Sequence, residues 1–340
     1  MILLQLIVLA AAPPLAGSSA GFPAVGVSAV GVPALGVLAA PQEARAARGA
    51  TPGDDEVERA KAWPKYANQA ALKRSVSKLR KARTEEMATS GAAELEAIGA
   101  AAAPLLLDRI GAEQDAGARE RMAAVLDTIT APTHTRLLAE VLESRAAWTR
   151  RYAARRIAQL GDPGLREVAE EYLRTWIERA ADDRMKKPVD PLDLHRAAIL
   201  CVATGSPDGL ERCLALADPK TWEAFGADLE AACTSARAAG SEVGADLGAR
   251  LGSAQAAADR VALLRLLTYA GREDQVGPIA PLLDVEQNHV KVAAINALRM
   301  IVDGDPPLRR LSSFDAIERA NRWKARLSST GDEGPPTHAK

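Results

Sequence analysis

Arginine is concentrated in the segment RRYAARRIAQLGDPGLREVAEEYL, at residues 150–173, where four of the first seven residues carry a guanidinium group. Guanidinium groups bind phosphates through paired hydrogen bonds, so an Ala-rich helix could carry this cluster into a nucleic-acid groove. The whole chain argues against nucleic acid, because 43 Lys and Arg residues are balanced by 44 Asp and Glu residues. Two interpretations remain: a binding surface for another partner, or a structural role within the fold.

Histidine and cysteine, which often ligate metals or assist catalysis, form no recognised catalytic pattern in this sequence. There is no HExxH motif and no CxxC pair. The motifs of a serine nucleophile elbow, a phosphate-binding loop and a dinucleotide fold are also missing. We therefore predict a protein without catalytic residues, cofactor or metal. The four histidines, in separate parts of the chain, are His134, His195, His289 and His338.

The three cysteines, Cys201, Cys213 and Cys233, allow one disulfide. Cys201 and Cys213 lie at similar distances from the turn TGSPDG, at residues 204–209, so two antiparallel helices joined there would bring them level. The alternative, which the odd number of cysteines favours, is that all three are buried as small apolar side chains.

The N-terminal residues predict export. Residues 2–12 form an apolar run that is too short to span a bilayer but suits the core of a signal peptide. Ser18 and Ala20 follow as a small-residue cleavage site. Because no Lys or Arg precedes the run, a plain apolar tail or a wrongly assigned start is the alternative. We predict a signal peptide over residues 1–20 and a periplasmic or extracellular location.

A low-complexity stretch follows, in which Gly recurs at every fifth residue from 21 to 36. A period of five matches neither a helix nor a strand, so no single face can be buried. We predict a disordered linker over residues 21–58 and no transmembrane helix in the mature chain, with an uncleaved membrane anchor as the alternative. Residues 328–340 are predicted to form a disordered tail.

A pattern of about 30 residues recurs through the remaining chain. Each unit has a charged residue, an Ala-rich segment with apolar residues at helical spacing, a turn, and a second amphipathic segment. Such helical hairpins bury their two apolar faces by stacking on their neighbours. An aromatic content of only 4% also favours helices over strands. The charged positions are Arg121, Arg151, Arg196, Glu230, Arg260 and Lys291, at intervals of 30, 45, 34, 30 and 31 residues.

The unit PLLDVEQNHVKVAAINALRMI resembles HEAT repeats of the short bacterial type, and RRYAARRIAQLGDPG is nearly as similar. The resemblance covers residues 91–327 in about six or seven units. It implies an all-α protein, a right-handed α-solenoid of stacked helical hairpins with an armadillo-like superhelix. The unit at Glu230 lacks the usual basic residue, and residues 219–254 are rich in Gly and Ala, so irregular packing is expected there.

The resemblance also bears on the arginines. In HEAT-like repeats a basic residue at the position of Arg151 ties adjacent loops and carboxylates together, so a structural role is expected, with ligand contact as the alternative. The apolar side chains Ala153, Ala154 and Ile157 cluster on the opposite side of the same helix. The Ala-rich helices of HEAT-like arrays usually line the concave side. There they would present to a partner Arg155, Arg196, Arg265, Lys291 and Arg299.

A second basic surface is predicted at residues 72–83, within an N-terminal cap that spans residues 59–90. Leu72, Val76 and Leu79 lie at helical spacing, and six basic side chains cover the outer face. A solvated cap is expected, with weak contact to an anionic surface or a partner as the alternative. The six residues are Lys73, Arg74, Lys78, Arg80, Lys81 and Arg83.

These patterns predict a non-catalytic scaffold in the cell envelope that binds a protein or peptide on its concave surface. The alternative is a HEAT-like enzyme, similar to phycobilin lyases or HEAT-fold DNA glycosylases, although both groups act inside cells. A lyase requires a pigment and a partner protein that no residue here indicates. A glycosylase requires a basic groove with clustered aromatic residues. This chain is near neutral, and its tryptophans are scattered: Trp63, Trp148, Trp176, Trp222 and Trp323.

Overall fold

The computed structural model describes residues 60–182, 184, 188–308 and 310–331, all within the compact unit Glu56–Lys340. In these residues the regular secondary structure is helical throughout and contains no strand, so the prediction of an all-α protein is confirmed. The predicted signal peptide and linker lie outside the described residues, as do residues 332–340 of the predicted tail.

The helices follow one another through short turns, and several are preceded or extended by a turn of 3₁₀ helix. In chain order the α-helices are α1 (Gln69–Arg80), α2 (Glu85–Ile98), α3 (Ala103–Ala112), α4 (Ala116–Ile129), α5 (Thr135–Ala139), α6 (Ala147–Leu160), α7 (Arg166–Ala181), α8 (Pro191–Ala203), α9 (Leu210–Leu216), α10 (Pro219–Ala238), α11 (Val243–Ser253), α12 (Ala257–Ala270), α13 (Val276–Ile279), α14 (Asn288–Leu298) and α15 (Ser313–Gly331).

The even-numbered helices from α6 onward pack side by side in chain order: α6 on α8, α8 on α10, α10 on α12, and α12 on α14. Each odd-numbered helix from α3 to α13 packs against the even-numbered helix that follows it. The Ala-rich segment of every sequence repeat forms an even-numbered helix. Helices α9 and α11 also pack against the Ala-rich helix before them, so the hairpin of the sequence repeat is present at α8–α9 and α10–α11 as well.

Helix α6 shows why the repeat sequence folds in this way. Its side chains Tyr152, Ala153 and Ile157 are almost fully buried, and the small alanines let neighbouring helices approach closely. Gly161 ends the helix in the left-handed conformation, with φ of +67°, which glycine adopts without strain. Asp162 then accepts hydrogen bonds from the backbone N–H of Gly164 at 2.9 Å and from a threonine hydroxyl of α5. In the LGDPG segment, Gly161 thus ends α6, and Asp162 is the N-cap of the helical turn that follows.

Helix α10 contacts α6 in addition to its neighbours α8 and α12. One point of contact is at Gly161, where an added Cβ would lie 2.6 Å from the Ser235 hydroxyl oxygen. Residues 219–254 otherwise form two regular helices, α10 and α11. The departure from regular packing in this region is the additional contact of α10 with α6. The glycines permit close packing, since a Cβ on Gly244 would lie 2.7 Å from the carbonyl oxygen of Ala270.

The helical stretch Glu85–Ala112 is long and apolar enough in composition to cross a membrane, with a hydropathy of 1.2. It consists of α2, a 3₁₀ turn and α3, and the chain bends within it at Gly99, where φ is +69°. Its large apolar side chains Leu95, Leu106 and Ile110 are fully buried, and the two helices pack against α1, α4 and α6. We assign the stretch to the protein core.

The cysteines are free thiols. Cys201, Cys213 and Cys233 are all fully buried within the helical core. Burial raises the pKa of each thiol, so all three are neutral near pH 7. The pairing of Cys201 with Cys213 is therefore not formed, and the prediction of three small buried side chains is confirmed.

Candidate functional site

The arginine cluster of α6 is bound within the fold. Arg150 and Arg151 both donate to the carboxylate of Asp193 on α8, at 2.9 Å and 2.7 Å, and that carboxylate is only 2% exposed. Hydrogen bonding to Asp193 raises the pKa of Arg151. Arg156 donates to the carbonyl oxygens of Asp127 and Thr130, both at 2.6 Å. These contacts are those expected of a structural arginine, and they use donors that a ligand would need.

Three of the five residues predicted to face a partner are also paired within the chain. Arg155 binds Asp127 at 2.9 Å and Arg299 binds Asp305 at 3.1 Å. Arg196 forms an ion pair with Asp228. The other two form no ion pair with the described part of the chain; they are Lys291 and Arg265.

The predicted basic surface lies on α1 and the turn that follows it. Leu72, Val76 and Leu79 are buried as expected. Lys78 binds Glu94 on α2 at 2.7 Å, and Arg80 binds Glu113 at 2.7 Å, so these two charges are neutralised locally. The other four side chains are exposed and form no ion pair among the residues that the structure covers: Lys73, Arg74, Lys81 and Arg83.

A cleft of about 920 Å³ opens between α10, α12, α14 and the segment 304–312. Trp222 and Glu230 contribute from α10, and Arg265 and Tyr269 from α12. These positions lie on the even-numbered helices, which the repeat pattern predicted to carry a binding surface. The cleft combines two aromatic rings with groups of both charges, a composition typical of ligand sites.

A second cavity adjoins the cleft. This adjoining groove, of about 890 Å³, shares Glu230 and Tyr269 with the cleft and extends towards Gln159 at the end of α6. Burial and the nearby carboxylate of Glu230 both raise the pKa of Tyr269, so its hydroxyl stays protonated and can donate a hydrogen bond. The two cavities therefore lie next to each other along the even-numbered helices.

Arg265 occupies a special position in the cleft. Its Nη1 donates to the carbonyl oxygen of Ala217, at the end of α9, at 2.5 Å. Its guanidinium carbon lies 5.5 Å from the centre of the Trp222 ring, within range of a cation–π interaction. The guanidinium is half-buried, and burial lowers its pKa. No other hydrogen bond joins this side chain to the described residues.

One wall of the cleft is a segment of the chain held by a side-chain amide. Asn296 on α14 donates from Nδ2 to the carbonyl oxygen of Leu308 at 3.2 Å and accepts from the Leu308 N–H at 2.9 Å. This pair of bonds occupies both backbone polar groups of one residue. Pro306 and Pro307 precede it and have no N–H to satisfy. The face of α14 thus already binds one stretch of non-helical backbone.

A third cavity, of about 690 Å³, lies between α7 and the region of α5. It is lined by Trp176, whose ring lies against the guanidinium groups of Arg150 and Arg179, at 4.7 Å and 4.8 Å from the ring centre. Arg150 is held by Asp193. Because its aromatic surface and its inner arginine are already occupied, this cavity suits a ligand less well than the cleft.

Sequence reasoning identified Arg265 but missed the aromatic and amide residues around it. Tyr269 lies four residues after Arg265, one turn along the same helix, and this spacing could have indicated a shared face. Nothing in the sequence pattern indicates that the backbone of Leu308 forms hydrogen bonds with the side chain of Asn296. The described residues contain no group of three or more His, Cys, Asp or Glu side chains that could hold a metal ion.

Comparison with known proteins does not add to these observations. No protein-family model matches the chain, and no curated protein matches it. The proposed function therefore rests on the residues of the cleft.

Proposed function

We propose that this protein is a non-catalytic scaffold that binds a peptide segment of a partner protein in the cleft between α10, α12 and α14. The observation that carries the proposal is the cleft itself, about 920 Å³ in volume and lined by Trp222, Tyr269 and a guanidinium with unused donors. Aromatic and arginine side chains contribute most strongly to protein recognition.

The proposed architecture is a right-handed α-solenoid of HEAT-like hairpins. The ordered packing of α6, α8, α10, α12 and α14, each with an odd-numbered helix behind it, supports this architecture. In such an array the even-numbered helices form one continuous surface, and hairpins stabilise mainly their neighbours. We further propose that the scaffold acts in the periplasm or outside the cell, on the basis of the apolar residues 2–12 and the cleavage site that follows.

Two features favour a peptide over other ligands. Asn296 binds both backbone polar groups of Leu308, which is the way an amide side chain would hold an incoming extended peptide. The adjoining groove also borders the cleft, so an elongated ligand has surface beyond the cleft. Nucleic acid is disfavoured, because binding it requires a row of cations along the phosphates, whereas Glu230 lies in the middle of this surface.

Selection from a phage-displayed library of random peptides, about 12 residues long, tests the proposal on the full chain. We expect the wild-type protein to enrich peptides that no longer bind Ala293→Trp, since Ala293 lines the cleft and the indole would fill it. The matched control is Ile177→Trp, at an exposed position of α7 away from the cleft, which should bind the peptides as the wild type does.

Failure to enrich any peptide, or equal binding to wild type and Ala293→Trp, would overturn the proposal. Circular dichroism of each variant checks that helicity is retained. Arg155 and Arg299 are unsuitable positions for this test, because charge reversal there would break the pairs with Asp127 and Asp305.

A further inference from the structure

Arg265 differs from the ion-paired arginines of α6 and α8. Arg121 and Arg260 also bind only backbone carbonyl oxygens, but neither lines the cleft. Arg151 and Arg155 each bind a carboxylate within the chain at 3 Å or less, and Arg196 is also paired. Arg265 is just as half-buried as these, yet its one bond is to a neutral carbonyl oxygen, that of Ala217. The carboxylate of Asp218 is near enough to raise the pKa of Arg265, but it forms no ion pair with the guanidinium, so an anionic ligand could still supply one.

The geometry leaves the guanidinium able to make that interaction. One nitrogen, Nη1, is used by Ala217, and the other two have no hydrogen-bond partner among the described residues. Contact with the Trp222 ring restrains the guanidinium plane without using its N–H donors. A guanidinium with two free donors can bind both oxygens of a carboxylate.

The charges around Arg265 favour an anion. Arg310 and His289 also line the cleft, and Arg310 is exposed and forms no ion pair with the residues the structure describes. The carboxylate in the lining is Glu230, which lies beside the Tyr269 hydroxyl, where the cleft meets the adjoining groove. Two guanidinium groups, those of Arg265 and Arg310, therefore line the cleft. The negative charges near them are Asp218, which follows Ala217 in the chain, and Glu230, beside Tyr269.

We propose that the cleft recognises an acidic side chain of its peptide ligand, and that Arg265 binds this carboxylate through its two free donors. The inference rests on the proposed function and names the chemistry of the ligand. An Asp or Glu side chain is assigned, and not a C-terminal carboxylate, because the adjoining groove borders the cleft at Tyr269 and can take the chain beyond the acidic residue. Arg310 adds to the attraction from the rim.

The test starts from peptides that bind wild type but not Ala293→Trp. Displayed peptides are joined to the coat protein at their C-termini, so they offer no terminal carboxylate. We expect them to be enriched in Asp or Glu at one position. Fluorescence anisotropy with an acetylated and amidated synthetic peptide should show about tenfold weaker binding when that residue becomes Gln or Asn, and a similar loss with Arg265→Gln.

A double-mutant cycle decides whether the two groups interact. We expect the Gln or Asn peptide to bind Arg265→Gln no more weakly than it binds wild type. The matched control is Arg250→Gln, which removes the same charge from α11 at an exposed pair with Asp246 and should leave affinity unchanged. If Arg265→Gln loses helicity, Arg310→Gln replaces it, with an expected loss of about threefold that shrinks in high salt.

The outcomes separate this inference from the proposed function. If no cleft-dependent peptide is found, both are overturned. If cleft-dependent peptides carry no acidic position, or if acidic peptides bind Arg265→Gln and Arg310→Gln with wild-type affinity, the cleft binds peptides but the assigned role of Arg265 is wrong.

Discussion

At the scale of single residues, the partner of each arginine decides what that arginine can do. Arg150 and Arg151 converge on Asp193, and all three side chains are less than one-fifth exposed. Arg265 has a carbonyl partner only. The first arrangement joins α6 to α8, whereas the second leaves donors for a ligand. The same residue type therefore has different partners on α6 and on α12.

Removing the Asp193 carboxylate should destabilise the protein strongly. Asp193→Ala leaves two largely buried guanidinium groups without their shared counter-ion, although Arg151 keeps Asp190 at 2.7 Å, and we expect a loss of about 3 kcal/mol in the free energy of unfolding. Urea unfolding followed by circular dichroism measures this loss. The matched control is Asp246→Ala, which breaks an exposed pair with Arg250 and should cost about 0.5 kcal/mol or less. Equal losses in the two variants would show that the Asp193 cluster contributes no more than a surface pair.

At the scale of elements, the segment before α1 is fixed to the turn between α4 and α5. The N–H of Ala60 donates to the carbonyl oxygen of Thr133 at 2.8 Å. The ring of Trp63 stacks on that of His134, with 5.2 Å between centroids and 15° between planes. The backbone N–H of Ala131 donates to Nδ1 of His134 at 3.0 Å, which requires that this nitrogen be unprotonated. The turn therefore depends on a neutral imidazole.

Mild acid should weaken this attachment. Burial lowers the pKa of His134 below its ordinary value of 6.5, so the folded state favours the neutral ring. The neutral ring of His134 therefore makes its full contribution to the free energy of unfolding above pH 6.5, and this contribution is lost as the pH falls through the folded-state pKa. Urea unfolding at pH 7.5 and 5.5 should show a smaller decrease in stability for His134→Gln than for wild type.

Burial also lowers the pKa of His195, so His195 adds to the loss of stability in the same pH range. This loss is the same in wild type and His134→Gln, and the difference between the two proteins is due to His134. The pH dependence of tryptophan fluorescence, compared between wild type and Trp63→Phe, reports on the attachment directly. An identical pH dependence of stability in wild type and His134→Gln would contradict the role assigned to this ring.

At the scale of the whole molecule, the contact between α6 and α10 joins helices that are not neighbours in the packing order. Ser235 on α10 lies against Gly161, and its hydroxyl is 3.5 Å from the carbonyl oxygen of Ala158. Stacked hairpins that contact only their neighbours unfold with limited cooperativity. This additional contact couples α6, α8 and α10, so we expect these helices to unfold together.

Gly161→Ala tests the contact. The substitution places a methyl group in the left-handed conformation, at a cost of about 1 kcal/mol, and 2.6 Å from the Ser235 oxygen. The control is Gly304→Ala, where φ is +71° but no atom lies within 4 Å of the new methyl group. We expect Gly161→Ala to lower the free energy of unfolding by about 1 kcal/mol more than the control does, because of overpacking. Equal losses in chemical denaturation would show that α6 and α10 are not in firm contact.

The sequence predicts the helices of this protein better than their contacts. Ala-rich segments with apolar residues at helical spacing identified every even-numbered helix from α4 to α14, because one buried face per helix leaves a periodic signal. Partners of the arginines lie far away in sequence, as with Arg151 and Asp193, 42 residues apart. Arg265 binds a carbonyl oxygen, and the backbone of Leu308 binds the Asn296 side chain. Neither contact leaves a periodic signal in the sequence, so the cleft could not be predicted.

The contact between α6 and α10 also restricts how this chain can grow by duplication. In a repeat array, copying one hairpin is tolerated when each unit touches only the next. A hairpin inserted between Gly161 and Ser235 would separate two surfaces that meet at van der Waals distance, whereas one inserted after α12 would leave them in place. Lineages that descend from this chain should therefore vary in the number of hairpins beyond Ser235 and keep a constant number between these two residues.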